Sequence, residues 1–449
     1  MKENRPERQP STSSPGAHAN RWIGSQTIRL GFALGCACLV QSKTAVAEGF
    51  RNPPPGTFNL GRAGGRIAQI DDSSAIQQNP ANLVEVPAEL QLTPSFVYIG
   101  ADYQSPTGQN SKTEDPWKLL PNLFASMPIL DGTAALGLGI TVPYGLSNNW
   151  DEDSTAFARP TGVWRYQAPH YTELQTLNIN PTVSFKIGEH LRVGAGFDAM
   201  WSELTLKQFY PWFLFPGGTL ATPDGHLKAK GDGIGYGGNV GVTWLITERQ
   251  RVALTYRSPL NVHYDSDFEM DNIPAAAAGL GATPRSDFST KVRFPTIVAA
   301  GYGIQLTDTI RLEADVEWVE FSRFQSLDLN MGRNAFLLPS TNIRQDWKDT
   351  FTVGIGGDWR FAPNWVLRAG YQFYQSPVPD HTFSPTIPDA NQNVLTVGLG
   401  YKYKSHSVEG AYGADFYDAR KIQNNQNPAF NGNYDITVHL FSLAYHYTF

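Results

Sequence analysis

The chain has 449 residues, of which 41% are hydrophobic, 12% aromatic and 17% charged, with 42 Gly, 31 Pro and 2 Cys. That charged fraction is below the roughly 25% of a typical soluble domain, and the aromatic content excludes a disordered chain. A net charge of −6 without a basic block argues against nucleic acid as a partner, and no apolar run reaches the roughly 18 residues of a spanning helix.

Residues 1–47 read as a signal peptide with a polar N-terminal extension. Met1 to Asn20 is polar and rich in Pro and Ser; Arg21 and Arg29 then precede the apolar run Leu30 to Val40. Ala45-Val46-Ala47 supplies the small residues of a cleavage site. An uncleaved anchor is disfavoured because the run is too short to span. A lipoprotein is disfavoured because neither Cys36 nor Cys38 has Leu three residues upstream. Cleavage after Ala47 would remove both cysteines and leave 29 basic against 39 acidic residues. Export excludes cytoplasmic functions and leaves the periplasm, the outer membrane or secretion.

Residues 48–88 do not alternate. Pro53-Pro54-Pro55-Gly56 and Gly61-Arg62-Ala63-Gly64-Gly65 exclude a central strand. The alternative to order is an exposed tail, but Phe50, Phe58, Leu60, Ile67, Ile70, Ile76 and Leu83 are unusual cargo for one. The preferred reading is a compact plug inside whatever follows.

From residue 89 to 449 the chain alternates with period two, the signature of strands with one apolar and one polar face. Leu136, Leu138, Ile140, Val142 and Tyr144 interleave with Gly137, Gly139, Thr141 and Pro143. Ile310, Leu312, Ala314, Val316 and Trp318 interleave with Arg311, Glu313, Asp315 and Glu317. A soluble sandwich also alternates. Runs of about ten residues, charges on one face as a watery lumen allows, and aromatic ends on the apolar face favour a transmembrane barrel. About fourteen such runs are expected, an even number as closed antiparallel barrels require. The chain ends on the aromatic Phe449 in a strand, as substrates of the barrel assembly machinery do. The fold class is therefore all-β: a 14-stranded antiparallel transmembrane barrel, residues 89–449, with residues 48–88 in its lumen.

Two segments are greasy where external loops belong: Phe209-Tyr210-Pro211-Trp212-Phe213-Leu214-Phe215-Pro216 and Ile273 to Leu280. Apolar patches of this kind mark interaction sites, although strand extension or a self-packed cap would also account for them. The glycines of Gly233-Ile234-Gly235-Tyr236-Gly237-Gly238 match G-x-G-x-x-G in letters, but no helix follows. They are expected instead to thin the inner face where plug or ligand approaches. The histidines lack ligand spacing and no G-x-S-x-G is present. Neither an enzyme, a cofactor nor a metal is expected.

In several blocks the chain resembles the FadL/TodX family of outer-membrane transporters for long-chain fatty acids and hydrophobic compounds. The blocks are Glu48-Gly49-Phe50, Leu60-Gly61-Arg62-Ala63, Asp71-Asp72 with Asn79-Pro80-Ala81, Arg251 to Ser258, Trp347-Lys348-Asp349, and Asn364-Trp365 through Ser376-Pro377-Val378-Pro379 to Ile387-Pro388-Asp389. The resemblance implies a hatch at 48–88 containing the Asn79-Pro80-Ala81 motif. It implies that segments 209–231 and 269–288 form an external hydrophobic groove, with Phe209, Trp212, Phe213 and Phe215 among its residues. Ligand would pass to a pocket near Phe50, and movement of the hatch and a kinked strand would open a lateral exit. No coupling to ATP or protons is implied.

Fatty-acid members place a buried basic pair against the ligand carboxylate. Here the first position falls on Gln208, beside Lys207, and the second near Ile343, beside Arg344 and with Lys348 further on. Either Lys207, Arg344 or Lys348 supplies the charge in shifted form, or the ligand is a neutral hydrocarbon. The expected partners are the ligand, outer-membrane lipid with lipopolysaccharide, and the assembly machinery; a monomer is expected. An adhesin or receptor barrel is the alternative of another class, and would leave the plug without purpose.

Overall fold

The structure, a computed structural model, describes residues 48–338 and 342–449. The expected signal segment lies outside the described residues. Strands dominate, and they close into one antiparallel barrel of fourteen crossings. The first crossing comprises Glu89–Leu92 and Ser95–Gln104, and it pairs with the last, Gly432–Thr448, in registers such as Leu90↔Tyr447 and Val97↔Leu440. Closure joins what would be the two free edges of an open sheet.

Prolines mark where crossings break. Pro94 interrupts the first; Pro143 separates Ala134–Thr141 from Leu146–Trp150 in the third. Pro259 divides Gln250–Arg257 from Leu260–Met270 in the seventh, and Pro295 divides Arg285–Phe294 from Ile297–Gln305 in the eighth. Proline cannot donate to a ladder, so each break falls where an N–H is missing. The fourth to sixth crossings, Tyr171–Ile187, Leu191–Tyr210 and Gly225–Thr247, run uninterrupted for 17, 20 and 23 residues. A tilted crossing needs about ten, so their outer parts stand above the membrane.

The outward face is apolar across the membrane zone. Leu136, Leu138, Ile179, Leu254, Val316, Val353 and Leu399 are exposed there, with Trp244, Trp359, Trp365, Tyr445 and Tyr447 near the short-turn end. This is the hydrophobic band with an aromatic girdle that lipid requires. In the outer part of the seventh crossing the exposed residues include His263, Asp265 and Asp267, which belong in water or among headgroups.

The inward charges differ from expectation: they face protein, not a watery lumen. Glu313, Asp315 and Glu317 of the ninth crossing, Ile310–Val319, are buried against residues 62–69. Glu313 accepts hydrogen bonds from the backbone N–H groups of Ile67 (2.7 Å), Ala68 and Gln69 (2.8 Å), while Asp315 accepts from that of Arg66. Arg62 pairs with Asp358 at 3.0 Å and Arg66 with Glu317. Unpaired, such buried ions would cost several kcal/mol each. Glu313→Ala orphans three buried donors, each costing about 1–3 kcal/mol. Hydrogen exchange at residues 66–70 should accelerate sharply in this variant while the strands stay protected. Unchanged protection would contradict the role assigned to Glu313.

Two expectations need correction. The greasy loops are shorter than 209–231 and 269–288, because strands continue to Tyr210 and Met270 and resume at Gly225 and Arg285. The loops proper are 211–224 and 271–284, and Phe209 belongs to a strand. The Gly233–Gly238 run does not thin the wall for plug or ligand. A Cβ on Gly235 would lie 2.9 Å from Val262, and one on Gly237 2.7 Å from Ser258 Oγ. The approaching element is the seventh crossing, where it bends at Ser258-Pro259.

Candidate functional site

Residues 48–86 touch strands on every side of the ring. The helical turn Thr57–Gly61 packs on the last crossings, and the 3-10 turn Pro80–Glu85 on the third to sixth. Asn79 caps that turn, its side chain accepting from Ala81 N–H at 3.1 Å, and Pro80 occupies the first turn position, where no N–H is needed. The same side-chain amide donates to Ile67 O (2.7 Å) and to Thr243 Oγ1 (2.9 Å) of the sixth crossing. Ser184 Oγ donates to Ala81 O at 2.9 Å. Asn79-Pro80-Ala81 is thus an anchor to the wall.

At the other end of the segment, Phe50 is 2% exposed inside a ring of aromatics. Trp347 stacks on it at 5.2 Å, and Phe324 (5.4 Å), Phe294 (5.5 Å), Phe321 (5.9 Å) and Tyr144 (6.1 Å) meet it edge-on. Gly49 adopts φ 62°, and a Cβ there would lie 2.5 Å from the Trp347 ring, so the approach requires glycine. Gly49 N–H donates to Asp389 Oδ2 at 3.2 Å; burial pushes this loop carboxyl up to about 6, against the opposing pull of Ser376 and Arg420.

The segment also pairs with the break in the third crossing. Asn52 N–H donates to Pro143 O (3.1 Å), Gly145 N–H to Phe50 O (2.9 Å), and Arg51 lies opposite Tyr144 in an antiparallel bridge. The ladder between second and third crossings is itself interrupted here. It pairs Leu123–Ile129 with the strand before the break and Thr113 and Glu114 with the strand after it, and among the described residues none of 115–122 pairs with the third crossing. A cavity of about 100 Å³ lies beside this gap, walled by Val97, Ile99, Val394 and Val438, with Glu48, Asp389 and Asp415 also on its lining.

Above Phe50 the apolar contacts are unbroken. Phe294, Tyr264, Phe288, Phe268, Met270, Phe209 and Trp212 belong to the same buried cluster, which reaches Ala277 in the second greasy loop. Trp212 is fully buried, and its Nε1–H donates to Asp271 O at 3.0 Å, tying the two loops together. Phe213 and Phe215 are half-buried, while Leu214 is 71% exposed at the tip, with Leu220 and Leu280 similarly bare.

The basic positions do not converge. Gln208 points inward and donates to Tyr166 O at 3.0 Å, while Lys207 alternates to the other face and sits 4.4 Å over the Tyr171 ring. Arg344 is exposed and bonded to Asp346 at 2.7 Å, and Lys348 is exposed on the loop. Two groups near Phe209 lie outside the expected set: Arg165, 4.0 Å over its ring and paired with Asp224 at 2.7 Å, and His170, stacked on it at 4.8 Å. Burial, and secondarily Lys207, hold His170 down to about 4, so it is neutral at neutral pH. Trp347 was legible only as part of the Trp347-Lys348-Asp349 block.

A closed barrel with a lipid-facing belt, filled by its own N-terminal segment and threaded by an apolar path, defines an outer-membrane transporter of hydrophobic compounds. Residues 38–449 match the family described as outer membrane protein transport protein (OMPP1/FadL/TodX), and the chain belongs to that family. It is 25% identical to the long-chain fatty acid transport protein of Salmonella typhi, over 95% of this chain and 100% of that protein. Its fold matches a crystal structure of a Pseudomonas aeruginosa FadL homologue with TM-score 0.75 at 22% identity, covering 90% of this chain and 100% of that one. It also matches the Pseudomonas putida toluene transporter TodX, with TM-score 0.69 at 18% identity, covering 90% and 100%. These relatives are transport channels, not enzymes.

Proposed function

We propose that the protein moves hydrophobic molecules down their gradient through the outer membrane by facilitated diffusion. Ligand is caught between the loops at 211–224 and 271–284, passes to the Phe50 cage, and leaves sideways at the third crossing when residues 48–88 move as a hatch. The observation that carries this reading is the single apolar cluster running from Trp212 and Ala277 to Phe50, ending beside the interrupted ladder. A series of apolar sites, each favourable enough to enter and weak enough to leave, suits a solute that a watery pore cannot attract.

Long-chain fatty acids are the first reading of the ligand, supported by full-length relatives bearing that name. A neutral hydrocarbon is the second, favoured by the charge arrangement. The basic residues nearest the path are turned outward, exposed, or already paired, including Arg51 on the wall of the cavity beside Phe50, which is held by Glu48 and Glu317. Replacing Lys207, Arg344 and Lys348 together by Gln decides between them by calorimetry. If they serve a carboxylate, oleate affinity falls far more than toluene affinity. Equal or negligible losses favour the neutral ligand.

A further inference from the structure

The lower part of the lumen gathers a set of side chains that transport does not use. Asp72 of the N-terminal segment, Glu409 of the thirteenth crossing (His406–Tyr417) and His446 of the fourteenth each place one potential ligand atom within 4.8 Å of the other two. Asp72 and His446 are well buried and Glu409 nearly so. Glu89 stands at the margin, its Oε2 3.8 Å from His446 Nδ1, which is beyond hydrogen-bonding distance. His446 Nε2 is buried without any partner.

That orphan nitrogen is the informative feature. A buried imidazole is normally satisfied by a donor, an acceptor or a metal, because a dry polar nitrogen is costly. The carboxylates are only partly committed. Asp72 Oδ1 accepts from Ser74, and its Oδ2 has only Gln91 Nε2 at 3.4 Å. Glu409 is held by Arg368 at 2.8 and 3.0 Å, leaving further lone pairs on each oxygen. Asp72, Glu89 and Glu409 set three carboxyl groups around Arg368 and the His446 imidazole, so a metal ion can replace protons as their counter-charge.

We propose that Asp72, Glu409 and His446 form a binding site for a divalent transition-metal ion, Zn2+ first, that fastens the N-terminal segment to the last two crossings. One imidazole nitrogen with two carboxylates is a Zn2+ donor set, completed by water or by the Gln91 amide; Ca2+ and Mg2+ take oxygen ligands and would leave the imidazole unused. Zn2+ sits about 2.0–2.2 Å from such ligands, so side-chain rotation must draw the three atoms together. The site lies on the far side of the segment from the Asn79 anchor, so bound metal would restrain residues 71–74 independently of it. Binding does not depend on the proposed transport mechanism; only its consequence for uptake rests on hatch movement.

The test uses the untagged protein in detergent, stripped with EDTA and titrated with Zn2+ at neutral pH. One Zn2+ should bind per chain, reversed by EDTA, with affinity reduced about tenfold or more in His446→Gln and Asp72→Asn, since even the hydrogen-bond partners of metal ligands are worth that much. Barrel integrity of each variant is read from its faster migration on unheated gels. Should either variant fail to fold, X-ray absorption of the Zn2+-loaded native protein decides, with a first shell of one nitrogen and otherwise oxygen expected. No stoichiometric binding, binding unaffected by both substitutions, or a shell of several imidazoles would overturn the proposal.

Discussion

In a chain carrying Arg51→Cys and Tyr144→Cys, oxidation is expected to abolish uptake of hydrophobic ligand, and reduction to restore it. The two residues face each other across the bridge that joins the N-terminal segment to the broken third crossing. The flanking bonds, Asn52 N–H to Pro143 O and Gly145 N–H to Phe50 O, make them a non-hydrogen-bonded antiparallel pair. Such a pair has Cα atoms about 4.5 Å apart, inside the roughly 4.4–6.8 Å range of unstrained disulfides. The only native cysteines are Cys36 and Cys38, in the segment expected to be removed on export. Both substitutions sacrifice contacts, since Arg51 pairs with Glu48 and Glu317. Comparing oxidised with reduced forms of one variant cancels that loss. Uptake that stays the same in the oxidised form would sink the lateral route and the hatch with it.

Phe50→Ala is expected to tighten ligand binding and slow transport. The ring fills a cage of five aromatics, and a ligand arriving from above must displace it. Truncating a buried Phe leaves a cavity that costs about 3–5 kcal/mol, and an apolar cavity of that size remains dry and accepts an aromatic guest. If half of that cost is recovered by the ligand, affinity rises about ten- to sixtyfold. The segment would then feel less push from the ligand, so turnover falls. Calorimetry with toluene measures the first effect and whole-cell uptake the second; weaker binding by the variant would refute the displacement model.

The barrel was legible because its signals are local. Alternation in Ile310 to Trp318 depends on which face meets lipid. The breaks are less legible: the alternation runs through Pro143 to Tyr144 although the strand ends at Thr141, and Pro181 lies inside the unbroken Tyr171–Ile187. The candidate site was legible in part. Phe50 and the Trp212 loop stood out as apolar residues in unexpected places, and both join one cluster. Lys207 and Gln208 could be assigned opposite faces from period two alone. Arg344 and Lys348 could not be placed, because a loop has no period to fix direction. Arg165 and His170, which flank Phe209, sit in a loop whose course is set by what it packs against.

Glu313, Asp315 and Glu317 mark the limit most clearly. Their alternation announced a polar inner face, and a watery lumen was the simple inference; instead they hold Arg66, Arg51 and the N–H groups of residues 67–69. Asp198 behaves likewise, each of its carboxylate oxygens accepting from Arg257 Nη1 at 2.7 Å.

What the residues alone carried was therefore governed by short-range chemistry: strand period, an apolar outer face, a lumenal segment too greasy to be a tail. What required the closed ring was partner choice inside it. Which carboxylate meets which arginine, how Phe50 finds its cage, and why Asp72, Glu409 and His446 come together depend on register and closure, since neighbours across a lumen share no period in sequence. Burial then makes those distant pairings decisive, because an ion inside the barrel has no water to fall back on.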